Sequence, residues 1–420
     1  MRKPLALLCL GLICSALLLT ACGAGRKPAS CRVIVASDLH YIAPTLTDHG
    51  ALFTQLTDAA DGKVMRYSEE LTDAFLAEVI AACPEALILT GDLSFNGAVE
   101  SHEALADKLA AVEEAGIPVL VLPGNHDVFS PSAARYHGDS AEGVPAADSA
   151  DFRRIYAAFG FDEAIAADAV SLSYVYPLNE TTRVLMLDAD SAACFGGLSD
   201  ETLAWVQRQL RQARRAGVSV LAAGHQNLFQ QTMFREGYVM TGAEELLRLL
   251  RRYEVPLFLS GHLHVQHRMT REGVTEITTS ALSVSPCQYA LLSAQQGRIA
   301  YETRPVDVAA WARGQGSTDE NLLSFASWAA DYFDARTRRQ IPESLADAGF
   351  SEDEIACMTD YLCRVNRAYF SGDLRDLEAL DPDGAAQALW ARAPGLYGIY
   401  LDSIRGDFGQ DFCVWQMDVM

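Results

Sequence analysis

Residues 119–127 read Val119-Leu120-Val121-Leu122-Pro123-Gly124-Asn125-His126-Asp127. Four apolar residues are too few for a helix, and turn-forming and polar residues follow at once. A continuous β-branched and leucine run of this length suits a strand buried on both faces. The same grammar recurs along the chain. Val33-Ile34-Val35-Ala36 stops at Ser37-Asp38, and Leu87-Ile88-Leu89 stops at Thr90-Gly91-Asp92. Val184-Leu185-Met186-Leu187, residues 218–222 and Leu257-Phe258-Leu259 follow suit. Amphipathic segments lie between these runs. In 68–83, Leu71, Phe75, Leu76, Val79, Ile80 and Cys83 share one helical face. Residues 99–115 and 200–216 behave alike, and Gly116 and Gly217 mark their C-terminal stops. Alternating strand and helix predicts an α/β layered fold whose functional groups gather on loops beyond the strand ends.

After Tyr301 the texture changes. Strand-like runs disappear, and 319–336 and 352–370 read as helices, the second opened by the capping box Ser351-Glu352-Asp353-Glu354. Trp311, Trp328, Tyr332, Phe333, Tyr361, Tyr369, Trp390 and Trp415 promise this part a core of its own. The expected division is a catalytic unit over 32–303 and a small helical domain over 304–420.

The chain has 420 residues, with 55 acidic against 33 basic side chains and a formal charge of −22. Half of its residues are hydrophobic, which excludes disorder. Such acidity argues against a grip on long nucleic acid, which needs lysine and arginine stripes. Phosphate binding remains open where metal ions supply the positive charge locally.

Arg2 and Lys3 precede an apolar run over 5–19 that ends in Leu19-Thr20-Ala21-Cys22. This reads as a signal peptide over 1–21 with a bacterial lipobox, so that Cys22 becomes a lipidated N-terminus. Residues 22–31 would then be a tether, and the protein an extracytoplasmic, membrane-anchored lipoprotein. Cys31, Cys83, Cys194, Cys287, Cys357, Cys363 and Cys413 show no C-x-x-C spacing and are expected as scattered buried thiols. A disulfide involving Cys357 or Cys363 stays open.

The chemistry lies in five polar clusters. They are Asp38-Leu39-His40, Gly91-Asp92, Gly124-Asn125-His126-Asp127, Gly224-His225 and Gly261-His262-Leu263-His264, and they hold five of the nine histidines. Each follows an apolar run. Carboxylate, imidazole and one amide without thiolate suit divalent ions such as Mn, Fe or Zn.

In that order, D-x-H, G-D, G-N-H-D, H and G-H-x-H, the set resembles the calcineurin-like metallophosphoesterases over roughly residues 32–302. The resemblance implies a four-layer α/β/β/α sandwich with two metal ions at the strand ends. Asp38, His40 and His264 would hold the first ion. Asn125, His225 and His262 would hold the second, with Asp92 bridging. His126 would face the leaving-group oxygen as acid or charge stabiliser. Asp127 either orients that imidazole or is a turn residue.

Phe95 stands where purple acid phosphatases place a tyrosine ligand, three residues beyond the bridging aspartate. Ligand order and type instead resemble the class III cyclic nucleotide phosphodiesterases, as does the stretch 188–210. Gln226 departs from that pattern, since relatives often carry a second histidine there. The implied activity is hydrolysis of small nucleotide phosphodiesters. An extracytoplasmic phosphomonoesterase and a non-catalytic surface lipoprotein are the alternatives. The gap from Asp38 to Asp92 suggests an insertion over 43–63 near the site mouth, bearing Asp48 and His49. Tyr41, Asp48 and His49 either meet substrate or satisfy their own turns. His102, His137 and His267 are expected at the surface, with His267 close enough to His264 to line the cleft.

Overall fold

A computed structural model describes residues 31–295 and 297–418. The expected signal peptide, Cys22 and all but the last residue of the tether lie outside the described residues. Two sheets form the middle of the molecule. In the first, the order is Val414–Asp418, Arg298–Pro305, Gln288–Gln295, Cys31–Ala36, Ala86–Leu89 and Val119–Val121. Its last three strands are parallel and the others antiparallel. The second runs His267–Arg271, Val274–Thr278, Leu257–Ser260, Ser219–Gly224, Thr182–Leu187, Tyr174–Tyr176 and Ala166–Ala167. Its four middle members from Val274–Thr278 to Thr182–Leu187 are parallel.

Strand periodicity sorts the core into layers. Val184 and Met186 face inward and share one hydrophobic cluster with Ile34, Val35 and Val121 of the first sheet. Their neighbours Leu185 and Leu187 point outward and pack with Trp205, Val206, Leu246 and Leu250. Those four belong to helices Asp200–Ala216 and Ala243–Arg252, which cover the second sheet. Helices Ser68–Ala82 and Val99–Glu114 cover the first, through Leu71, Phe75, Leu105 and Leu109. The result is the expected α/β/β/α sandwich.

The C-terminal region carries the expected helices, Phe325–Leu345 and Glu352–Ser371 among them, and the Ser351–Glu354 capping box is formed. It also differs from expectation in two ways. Val414–Asp418 returns as the edge strand of the first sheet, antiparallel to Arg298–Glu302. Its exposure alternates residue by residue, and a half-exposed edge strand carries too weak an apolar run to be read from sequence. The aromatic core is also divided. Tyr361, Tyr369 and Trp390 form a cluster with Val265. Trp311, Trp328, Tyr332 and Trp415 pack instead against the sandwich.

The seven described cysteines are free, and Cys83 and Cys357 are exposed rather than buried. Among the described residues no helix is long and apolar enough to cross a membrane.

Candidate metal centre

Three parallel strands of the first sheet and two of the second end at one place. Cys31–Ala36, Ala86–Leu89 and Val119–Val121 deliver Asp38 and His40, Asp92, and Asn125 and His126. Ser219–Gly224 and Leu257–Ser260 deliver His225, then His262 and His264. Local backbone is strained there. Asp38, His40, Asp92, His262 and His264 all have φ between 47° and 70°. That left-handed region is uncommon outside glycine, although Asp and His enter it more readily than most, and it costs free energy that the surroundings must offset. The loops are fastened together by main-chain bonds: Asp38 N–H to Gly91, His40 N–H to Asp92 and Tyr41 N–H to Leu93, at 2.8–3.0 Å. Gly124 is required by close approach, since a Cβ there would meet the Asp92 carboxylate and sit 2.7 Å from His225 Nε2.

The carboxylates are aimed by main-chain donors. His126 N–H donates to Asp92 Oδ1 at 2.8 Å and His262 N–H to Asp38 Oδ2 at 3.1 Å. The imidazoles are aimed by acceptors. His225 Nδ1 meets the Thr90 carbonyl at 2.8 Å, and His262 Nε2 meets the Gly237 carbonyl at 2.8 Å. His264 Nδ1 meets Asp61 Oδ2 at 2.5 Å. A carbonyl or carboxylate only accepts, so each contacting nitrogen carries the hydrogen and the other presents a lone pair to the cluster.

With these imidazoles neutral, lone pairs converge on the cluster without donors between them. His225 Nε2 lies 3.4 Å from Asp92 Oδ1 and 3.3 Å from Asn125 Oδ1. His264 Nε2 lies 3.3 Å from both Asp38 Oδ1 and His40 Nε2. Buried Asp38 Oδ1 has no hydrogen-bond partner. Asp38, His40, Asp92 and His264 form one group able to hold a cation, and Asp92, His225 and His262 form another. Within each group the donor atoms lie within 4.8 Å of one another. The arrangement fits two divalent ions sharing Asp92: facing lone pairs in a buried place call for positive charge between them, which bound ions would supply and which protons on His225 and His264 supply otherwise.

The same field acts on protons. Burial opposes charge on His225, yet Asp92 and then Asp38 push it up to about 10. Burial opposes charge on His264 too, and Asp61 pushes it up to about 9. His262 is driven down to about 4 by burial and by His225, and His40 falls through burial and Lys63.

His126 stands at the mouth with its side chain 36% exposed. Its Nδ1 meets the Phe95 carbonyl at 2.9 Å, leaving Nε2 3.9 Å from Asp92 Oδ2. Asp127 does not orient that ring. Its carboxylate accepts from the N–H groups of Leu93, Ser94 and Gly124 at 2.8–2.9 Å. It is a buried clasp between two loops, which corrects its expected catalytic role.

His102 and His267 are buried, against expectation. His102 bridges the Tyr156 hydroxyl and the Asp127 carbonyl, and His267 Nδ1 meets Gln231 Oε1 at 2.9 Å. Partners inside the protein make burial of an imidazole tolerable. Asp48 bonds the N–H groups of Gly50 and Gly138, and Tyr41 is buried, so both serve the fold. Gln226 donates to buried Asp190 at 2.9 Å.

Asp61 escaped the sequence reading. It lies in the 43–63 insertion beside Lys63, whose ammonium is 3.1 Å away. A carboxylate on the far nitrogen of a ligating imidazole fixes the ring and raises its basicity. No spacing rule could have singled it out, because it sits in no motif.

Comparison with known proteins agrees with this geometry. A family model described as calcineurin-like phosphoesterase matches residues 31–266. One described as the C-terminal domain of cyclic nucleotide phosphodiesterase matches 307–411. A 3',5'-cyclic-nucleotide phosphodiesterase of Nostoc sp. is 25% identical over 209 residues, 48% of this chain and 66% of that protein. An Arcobacter nitrofigilis protein named a probable glycerophosphodiester phosphodiesterase is 25% identical over 192 residues, 43% of this chain and 57% of that one. The matches thus span less than two thirds of either relative. A dimetal phosphatase from Danio rerio superposes with a TM-score of 0.49 at 16% identity, covering 66% of this chain and 96% of that one. Because the first family model spans more than half of its length, the chain belongs to the calcineurin-like phosphoesterase family.

Proposed function

We propose that the chain is a dinuclear metal-dependent phosphodiesterase acting on small phosphate diesters, those of nucleotides above all. The observation that carries this reading is the convergence of lone pairs on both sides of Asp92. Asp38, His40 and His264 would hold one ion, Asn125, His225 and His262 the other, and Asp92 would reach both. The donor set suits Mn, Fe or Zn. Bound there, two such ions lower the pKa of water and neutralise phosphate oxygens. The chain supplies the rest. Asn125 offers an uncharged oxygen, so the cluster keeps residual positive charge for an anionic substrate. His126, held through Nδ1–H by the Phe95 carbonyl, presents Nε2 at the mouth, and in its imidazolium form it gives the Nε2 proton to the departing oxygen.

Both curated relatives are named for phosphodiesters, which supports a diester over a monoester. The charge of −22 supports a small substrate over a long polymer. The sequence Leu19-Thr20-Ala21-Cys22 supports an extracytoplasmic site of action, with a lipid on Cys22 as the anchor. The test is turnover of bis(p-nitrophenyl) phosphate with added Mn. The expected result is hydrolysis by the wild type and none by Asp92→Ala. Equal rates in the two, or an inactive wild type, contradict the proposal.

A further inference from the structure

The site mouth carries exposed aromatic rings for which the metal cluster has no use. All three phenylalanines that remain exposed, Phe129, Phe195 and Phe234, lie on loops leaving the site ends of strands. Phe234 has the clearest relation to the cluster. Its ring, 50% exposed, lies 5.8 Å from that of Tyr238 at 32°. The Tyr238 ring lies 5.1 Å from that of His262 at 46°. The carbonyl of Gly237, between them in sequence, accepts from His262 Nε2 at 2.8 Å. An aromatic path thus leads from a candidate ligand outward to solvent.

The neighbouring loop brings a further ring. Thr241 N–H bonds the Gly196 carbonyl at 2.9 Å, and Leu198 N–H bonds the Thr241 carbonyl at 2.9 Å. This stitching fastens the loop that carries Phe195, 60% exposed, to Thr241 at the end of the loop that carries Phe234. Offset or tilted rings 4.5–7 Å apart are the ordinary geometry of aromatic stacking, so the path can be continued by one more planar ring.

We propose that Phe234 and Tyr238 form a stacking platform for the base of a nucleotide whose phosphate lies at the metal cluster. This rests on the phosphodiesterase reading and narrows its substrate class to diesters bearing a planar base. Each base offers a π-face, so the platform selects for the presence of a base rather than for its identity. The two rings lead away from His262, so a nucleoside whose phosphate lies at the cluster meets them on leaving it past His262. Tyr238 also touches His262, whereas Phe234 touches only Tyr238 among aromatic partners, which makes Phe234 the residue to change.

The test compares AMP with ribose 5-phosphate, which shares the sugar and phosphate and lacks the base. Both are titrated calorimetrically into the Mn-loaded full chain. AMP is expected to bind the wild type about tenfold or more tightly than ribose 5-phosphate, the size of one base stacking on an aromatic side chain. In Phe234→Ala that ratio should collapse towards one, and Phe234→Tyr should restore it. Equal affinities in the wild type overturn the inference. So does an equal weakening of both ligands in Phe234→Ala. Hydrolysis of bis(p-nitrophenyl) phosphate by the same preparations separates the two claims. Active enzyme without base preference sinks the platform alone, and inactive protein with base preference sinks the phosphodiesterase reading alone.

Discussion

The two halves of the cluster, on either side of Asp92, are built differently. In one, His225 and His262 are aimed by the carbonyls of Thr90 and Gly237. In the other, His264 is aimed by the side chain of Asp61, itself paired with Lys63. A main-chain carbonyl is a fixed, neutral acceptor that no substitution removes. A carboxylate adds charge, makes the imidazole more basic and hangs on a single replaceable residue. The His264 half therefore draws part of its strength from the 43–63 insertion, which makes that insertion part of the site.

Among variants that spare the ligands themselves, the largest effect should come from a group belonging to neither half. His126→Ala is expected to lower kcat about 10²–10⁴-fold, the usual worth of a positioned general acid. Metal content, read by elemental analysis, should stay that of the wild type; loss of an ion would make His126 a ligand instead. Next comes the asymmetry itself. Asp61→Asn should weaken one ion about 10–100-fold and leave the other unchanged. Titration with Mn would then resolve two classes where the wild type shows closer affinities. A uniform weakening of both would erase the distinction between the halves.

A comparable effect, on stability rather than on the chemistry, concerns the loop that follows His225. Glu276 accepts from the N–H groups of Leu228 and Phe229 at 2.7–2.8 Å and from the Ser260 hydroxyl at 2.7 Å. Burial pushes its carboxyl up to about 7 in spite of those donors. The folded chain thus holds a proton that the unfolded chain releases nearer 4.5. Stability should fall as pH rises between those values, by about 3 kcal/mol in all. Glu276→Gln should flatten that slope, as seen in urea midpoints at pH 5 and pH 7.5. An unchanged slope would assign the pH dependence elsewhere.

The cluster was legible because each ligand type follows a buried strand, and that order survives in the sequence. Asp38, His40, Asp92, His225, His262 and His264 meet as the family resemblance implied. The layers were legible for the same reason, in runs such as Val184-Leu185-Met186-Leu187. What stayed hidden depends on tertiary partners. Asp61 gains its meaning only from His264, some two hundred residues away. Asp127 could be read as a helper for its neighbour His126 or as a turn residue, and its bonds to Leu93, Ser94 and Gly124 decide its role. His102 and His267 seemed superficial because sequence does not reveal the partners that make a buried imidazole affordable. Val414–Asp418 was missed because an edge strand buries only alternate residues.

Anomalous diffraction at the Mn edge, on crystals grown with that ion, tests the central idea most directly. Two peaks per chain are predicted on opposite sides of the Asp92 carboxylate. One should be within bonding distance of Asp38, His40 and His264, the other of Asn125, His225 and His262. A single peak, or ions bound away from Asp92, would contradict it.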